Sequence, residues 1–360
     1  MNAFEPKALP LTETDLVPDV YFDALIDATA RLEVYKSKLD GSKLDRSWFL
    51  PTLQQKEALA SSLMEGTQAT LDGVLVDQIN PSEKDKNMYE VRNYLYAADQ
   101  GYQYLRGGNF SIEFILTLHK QLMQGKVRRN KATIPGQFRR EQNYIGQGKK
   151  ISYVPPTADK VDGLMKNFVD YLNAPADKLR PLVRAAIIHA QFETIHPFMD
   201  GNGRVGRILI PLYLFKQNQI ESPYFFISEA LERDKFKYYT LLNDIRQKND
   251  WSHWIKFFLE TVEQQCTKYI AVVDSINSLY EKDLARTREV IGNSKVVDLV
   301  NLLYKYPVIT ASVVTQFTNI SPATATRYLN ILTDLHLLYT DGKARNRVFF
   351  YYDLLNVIRT

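Results

Sequence analysis

Cysteine is nearly absent from this chain. Cys266 stands alone, so no internal disulfide can form, and the composition suits a reducing compartment. No apolar stretch approaches the ~20 residues needed to cross a bilayer. Charge of neither sign dominates: 45 Lys and Arg face 41 Asp and Glu, and a net +4 neither demands nor excludes nucleic acid. Histidine is scarce at five residues, which leaves little for a histidine-rich metal centre. Repeats and low-complexity segments are missing as well. The start, Met-Asn-Ala-Phe-Glu-Pro, lacks a basic region followed by an apolar run. These absences lead us to expect a cytoplasmic protein with no membrane partner. At 360 residues there is length for two or three domains.

What is present is concentrated in one stretch, His196-Pro-Phe-Met-Asp-Gly-Asn-Gly-Arg-Val-Gly-Arg207. It combines a titratable base, a lone carboxylate in Asp200, a Gly201-Asn202-Gly203 turn and two arginines. Glycines, and Asn among other residues, tolerate the left-handed backbone that turns successive N–H groups inward. Such a turn opening a helix is an anion nest. Arg204 and Arg207 would share a face of that helix and reach a polyphosphate together. The stretch reads as a phosphate-binding active site.

Helical patterning begins near Val20 and ends at Gly41. Thr52-Leu-Gln-Gln55 is a capping box placed to start a helix after Pro51 that stops at Gly66. Ser61 and Glu65 fall on one face of it, and a carboxylate in a last turn gains from a cation supplied elsewhere. Further helices are expected from Tyr89 to the Gly107-Gly108 break and from Ser111 onward. His119 has nothing else to mark it and reads as a packing or surface residue. Between Gly136-Gln-Phe-Arg139 and Ile151-Ser-Tyr-Val154-Pro-Pro156, two strand-like pieces around Gly146 and Gly148 read as a hairpin. Its exposed edge could pair with an extended peptide.

A helix from about Pro181 to Ile195 has proline at its first position, and Pro197 pushes His196 out of helical geometry. His189, Glu193 and His196 could in principle face one metal, but Pro197 disturbs that face; support around His196 is the expected role of the first two. Pro211 should kink the helix after the nest. Near the C-terminus, Thr310–Phe317 and Pro322–Leu332, with Ser321 as N-cap, read as a helix-turn-helix, and Asp341-Gly342 as a hairpin turn. The module resembles a winged helix. Lys343, Arg345 and Arg347 alternate along what would be a wing strand, leaving DNA and a protein partner equally open.

His196 to Arg207 matches, letter for letter, the motif H-P-F-x-[D/E]-G-N-G-R-x-G-R, and the chain is identified as resembling the Fic family over roughly residues 61–254. Ser61-Ser-Leu-Met-Glu65-Gly66 resembles that family's inhibitory-helix motif [S/T]-x-x-x-E-[G/N], and Gly136 to Pro156 its target-holding flap. The resemblance implies a mainly α fold: an N-terminal helical region (1–105) carrying the inhibitory helix (about 52–66), a catalytic core (106–280) with the flap (about 136–156), and a winged-helix domain (285–360).

It also implies a nucleotidyltransferase: an autoinhibited protein adenylyltransferase moving AMP from ATP to a Ser, Thr or Tyr hydroxyl, on a target docked at the flap or on itself. In this reading His196 is the general base and Asp200 binds Mg²⁺. Gly201, Asn202, Gly203 and Arg204 hold the α/β-phosphates and Arg207 the γ-phosphate. Tyr239 and Asn243 line the adenine pocket, and Glu65, with Ser61, pairs with Arg207 to block productive nucleotide placement. Removal of AMP is also permitted, and a homodimer is left open. The alternative is a nucleotide-sensing DNA-binding regulator acting through the winged helix.

Overall fold

The computed structural model describes the chain except for residues 1, 126, 128, 129, 148, 149, 176–178, 223, 293 and 294. Helices α1 (Pro18–Asp40), α2 (Arg46–Met64), α3 (Leu71–Ile79), α4 (Lys86–Leu105) and α5 (Ile112–Leu122) come first. Strands β1 (Ile145–Gln147) and β2 (Lys150–Tyr153) follow, then α6 (Val161–Asn173), α7 (Pro181–Ile195), α8 (Asn202–Lys216), α9 (Ser228–Arg233), α10 (Lys235–Lys248) and the long α11 (Trp251–Ile291). The C-terminal part holds α12 (Lys295–Lys305), β3 (Val308–Ile309), α13 (Ala311–Phe317), α14 (Pro322–Asp334), β4 (Tyr339–Thr340), β5 (Phe349–Phe350) and α15 (Tyr352–Arg359). No described helix is long and apolar enough to cross a membrane.

Two compact units emerge. One comprises Met1–Leu32, Ala60–Gln68 and Tyr89–Gln265; the other comprises Glu33–Leu59, Ala69–Met88 and Cys266–Thr360. In the first, α7 and α8 form the centre. Leu182 to Ile195 are all buried, as are Asn202 to Leu214, so polar side chains carried on these helices are sealed in with the apolar ones. Helices α5, α6 and α10 pack around the pair, and Trp254 Nε1 donates to Ala186 O at 2.9 Å. The caps follow the sequence: Ser111 Oγ accepts from Phe114 N–H at 3.0 Å at the head of α5, and Pro181 opens α7. The N-terminal arm is docked rather than free. Phe4 N–H donates to Val154 O at 3.0 Å, and Asn167 exchanges hydrogen bonds with both backbone groups of Leu9.

One expectation about a helix start needs correction here. Helix α2 does not start after Pro51 but at Arg46, with Pro51 inside it. Asp45 is the effective cap, its carboxylate accepting from Ser47 N–H at 2.8 Å, while the Thr52 hydroxyl donates to Tyr304 O at 3.2 Å. The capping-box spacing was a coincidence of composition; proline inside a first turn and a half removes few backbone bonds. Helix α8 runs on through Pro211 to Lys216. The hairpin lies at β1–β2, antiparallel, and Gly146 sits inside β1; Gly148 lies outside the described residues. Gly136–Arg139 belongs to the approach loop and forms no strand.

In the second unit, β3, β5 and β4 form an antiparallel sheet in that order. Its apolar side meets α3: Leu75, Val308 and Leu355 are fully buried together, with Val348 and Phe350 against them. Ser321 caps α14, accepting from Thr324 N–H at 3.4 Å. Lys343, Arg345 and Arg347 do not alternate along a strand. They occupy the loop between β4 and β5, where Lys343 pairs with Asp341 at 3.2 Å and Arg347 folds back to Asn330 Oδ1 at 3.3 Å. The strands stop after two residues because Asp341 accepts from the Lys343 and Val348 N–H groups and closes the loop locally.

Candidate active site

Helix α7 ends where the sequence requires. His196 is its C-cap in the left-handed region (φ 50°, ψ 60°), its N–H still donating to Phe192 O at 2.9 Å. The chain reverses through Pro197–Gly201, and the Asn202 side chain closes that reversal. Its Oδ1 accepts from Phe198 N–H at 2.8 Å and its Nδ2 donates to Phe198 O at 2.8 Å. Asn202 therefore shapes the loop with its side chain and leaves only its backbone facing inward. Gly201 takes φ 83°, and a Cβ there would press on Met123 Sδ, so glycine is needed twice over. Helix α8 then presents its free first-turn N–H groups.

Arg204 and Arg207 are both buried, and their surroundings differ sharply. Arg207 is held on one side: Nε donates to Ser61 Oγ at 2.8 Å, and Nη2 donates to Ser61 O at 2.8 Å and to Glu65 Oε1 at 2.7 Å. Burial works against its charge, yet Glu65 outweighs that and moves its pKa upward. Ser61 is fully buried, whereas the Glu65 side chain keeps 25% exposure. Gly203 makes the contact sterically feasible, since a Cβ at that position would overlap Glu65 Oε1. Arg204, by contrast, reaches only Met123 Sδ at 3.5 Å and Asp200 Oδ1 at 3.6 Å, and its Nε and Nη1 have no hydrogen-bond partner. A buried guanidinium with two unpartnered nitrogens is costly unless an anion completes it.

His196 keeps a neutral imidazole. Burial, with Arg246 and Arg139 adding positive charge nearby, holds its pKa down to about 4, and its Nδ1 has no hydrogen-bond partner. The Asp200 side chain is 11% exposed at the loop's mouth. Tyr239 and Asn243 lie four apart on α10. Tyr239 is half-exposed and raised to about 12 by burial, with the Glu65 charge adding, whereas the Asn243 Oδ1 is taken up by Arg246 Nη1 at 3.2 Å.

His119, Arg139 and Arg246 turn out to be members of the site that spacing did not reveal. His119 is fully buried and stacks on Phe198 at 3.7 Å. Its Nδ1 accepts from Gly136 N–H at 3.0 Å, so Nε2 carries the proton and donates to Asp200 O at 3.1 Å. Burial pushes its pKa down to about 4. One ring thus joins the start of the flap loop to the Asp200 backbone. Gly136-Gln-Phe-Arg139 was visible as a motif, yet only the structure shows its partner. His189 donates or accepts with Tyr238 Oη at 3.0 Å and stacks beside Trp254. Glu193 is buried against Gly206 and pushed up to about 7 by burial, opposed by Arg207 and reinforced by Glu65. Among the described residues no cluster of three or more His, Cys, Asp or Glu could hold a metal by itself.

This geometry stands beside independent similarities. Residues 109–214 match the Fic/DOC family and residues 22–103 match the Fic/DOC family N-terminal region, together just over half of the chain. The chain belongs to the Fic/DOC family. It is 27% identical over 219 residues to "Protein adenylyltransferase Fic" of Drosophila willistoni, covering 59% of this chain and 38% of that protein. The Drosophila melanogaster protein of the same name is 26% identical over the same length. The chain thus spans less than half the length of these relatives. Its fold is similar to the crystal structure of a Fic family protein from Desulfovibrio desulfuricans, with a TM-score of 0.60 at 19% identity, covering 96% of this chain and 98% of that one. A Fic-domain signalling protein from Bacteroides thetaiotaomicron matches with a TM-score of 0.56 at 19% identity over 69% of this chain and 97% of its own.

Proposed function

We propose that this protein is an autoinhibited adenylyltransferase that transfers AMP from ATP to a hydroxyl of a protein. The observation that carries the reading is the contrast between the two arginines: Glu65 occupies Arg207, while Arg204 and the first turn of α8 offer buried donors to an anion. The relatives named adenylyltransferase support the choice of AMP as the group moved.

In this reading the α- and β-phosphates lie on the Gly201–Arg204 backbone and the Arg204 guanidinium, and the γ-phosphate goes to Arg207 once Glu65 leaves it. His196 takes the proton of the target hydroxyl as that oxygen attacks the α-phosphorus. The P–O bond to the β-phosphate breaks, and pyrophosphate departs. The phosphates bring negative charge beside the imidazole and lift its pKa back toward neutrality, where a general base works best. Asp200 fits Mg²⁺, a cation commonly held by one carboxylate plus substrate phosphates. When bound, that ion would neutralise charge on the polyphosphate. The hairpin, with Tyr144 and Ile151 exposed, would hold the target's backbone as an added strand. Catalysis is then mainly positioning and electrostatic stabilisation.

The experiment is incorporation of label from α-labelled ATP with Mg²⁺ into wild type, Glu65→Gly, and Glu65→Gly with His196→Ala. Faint labelling, strong labelling and silence are expected in that order. Equal labelling with and without Glu65 would remove the inhibitory role and leave the transferase standing.

A second reading has one observation in its favour. In the C-terminal unit, Thr326 and Asn330 of α14 line a cleft of about 630 Å³ with Lys343 and Arg347, chemistry suited to a phosphate backbone. Loss of DNA binding on neutralising Lys343, Arg345 and Arg347, with no AMP transfer in any variant, would favour a DNA-binding regulator.

A further inference from the structure

The end of a helix leaves carbonyls without intrahelical partners and a partial negative charge. At the end of α7 nearly all of these carbonyls are taken by groups from the flap segment and from α10. Arg246 Nη2 donates to Glu193 O at 3.2 Å, and its Nε donates to Thr194 Oγ1 at 3.3 Å. The Tyr153 hydroxyl, at the end of β2, donates to Thr194 O at 2.7 Å. Arg139 Nη2 reaches Ile195 O at 3.5 Å, and its Nε donates to His196 O at 2.9 Å. The Arg139 N–H donates to Pro197 O at 2.9 Å.

The same two arginines grip the flap. Arg139 Nη1 donates to Glu141 O at 3.2 Å and Nη2 donates to Pro156 O, so one side chain holds both the entry to and the exit from the hairpin. The Arg246 guanidinium lies over the Tyr153 ring at 3.8 Å from its centre. A planar fork can make such contacts at once, and a lysine cannot.

We propose that Arg139 and Arg246 are positioning residues: they fasten both ends of the flap to the last turn of α7 and keep two positive charges behind His196, so that the imidazole meets a hydroxyl held on the flap as a neutral base. Flap and base are thereby fixed to one rigid helix end, and the distance between them does not depend on the flap's own stiffness. The groups facing His196 are these two arginines, from the approach loop and α10; Glu65, in the turn that follows α2; and the Glu193 carbonyl, from α7 itself. Arg139 and Arg246 favour the neutral imidazole, whereas Glu65 and the carbonyl favour the charged one.

The kinetic part of this inference rests on the AMP-transfer reading; the titration part does not. The test is the NMR titration of the His196 imidazole in the full chain, assigned by His196→Asn, for wild type, Arg246→Gln and Arg246→Lys. Arg246→Gln should raise the midpoint, and Arg246→Lys, which keeps the charge, should leave it near wild type. Should Arg246→Gln fold poorly, Tyr153→Phe is the second arm. It keeps the ring under Arg246 and removes only the donation to Thr194, so it should speed amide exchange across Ile151–Tyr153. In the Glu65→Gly background it should also lower kcat for self-labelling, with KM for ATP unchanged. An unmoved midpoint in folded Arg246→Gln overturns the electrostatic half, and unchanged exchange in Tyr153→Phe overturns the clamp. If Glu65→Gly labels nothing, the transferase reading fails while both of these outcomes still decide the inference.

Discussion

Glu65 Oε1 and Arg207 Nη2 meet at 2.7 Å over the backbone of Gly203, from residues more than a hundred positions apart. Ser61, one turn before Glu65, holds the other side of the same guanidinium. The pair is partly buried, so removing one partner strands a charge rather than merely deleting a surface bridge.

Gly203 gives this contact a steric test. Alanine is at home in a helix, but its Cβ would overlap Glu65 Oε1 and come within 2.8 Å of Arg207 Nη1. Gly203→Ala should therefore expel the Glu65 carboxylate and raise self-labelling several-fold above wild type. Combined with Glu65→Gly it should give no further rise. An increase in the double variant beyond Glu65→Gly alone would mean that the clash is not with Glu65.

Arg204 sets function against stability. Its Nε and Nη1 are buried without partners, a situation that costs roughly 1–3 kcal/mol for a polar group. Arg204→Met fills similar space without those donors. Its thermal midpoint should equal or exceed that of wild type, while ATP binding by calorimetry falls at least tenfold. A clear drop in the midpoint would show that the guanidinium is satisfied by something else.

Asp200 should account for the metal dependence of nucleotide binding. Asp200→Asn keeps the shape and the His119 hydrogen bond, which uses the backbone carbonyl. ATP affinity measured with EDTA should match that of the parent, and the gain on adding Mg²⁺ should largely vanish. An undiminished gain would exclude Asp200 as the ligand.

Acid should destabilise the unit that carries the site. His119 and His196 are held down to about 4 and His189 to about 3, each chiefly by burial. Unfolded histidines bind protons near pH 6.5 and these do not, so their contribution is complete above 6.5 and is lost as pH falls toward 4. Glu193 has the opposite sign, being pushed up to about 7, and loses stability as pH rises from the ordinary carboxylate value through 7. Three groups outweigh one, so the thermal midpoint should fall between pH 6.5 and 4. His119→Gln should make that fall shallower. A midpoint that does not change across the interval would contradict the burial of these rings in solution.

The site could be read largely as chemistry. His196, Asp200, the Gly201–Gly203 turn and both arginines lie within one segment, so proximity along the chain stood in for proximity in space. Pro197 displaced His196 from the helix, and Pro181 and Ser111 marked helix starts, because these signals act within a few residues. Local logic failed where two signals competed. The capping box at Thr52 lost to a longer helix from Arg46, and the basic alternation at Lys343–Arg347 lost to a loop closed by Asp341.

The sequence by itself determined a mainly helical chain with a glycine-rich turn that opens a helix, and a carboxylate in want of a cation. Tertiary structure alone decided which arginine that carboxylate takes, and that the other keeps free donors. It also decided that His119 and two flanking arginines belong to the site. Those assignments depend on burial and on carbonyls at a helix end, and neither leaves a mark on residue spacing. Any arginine can satisfy an exposed C-terminus; only packing α7 in the core and bringing the approach loop and α10 to its last turn singles out Arg139 and Arg246.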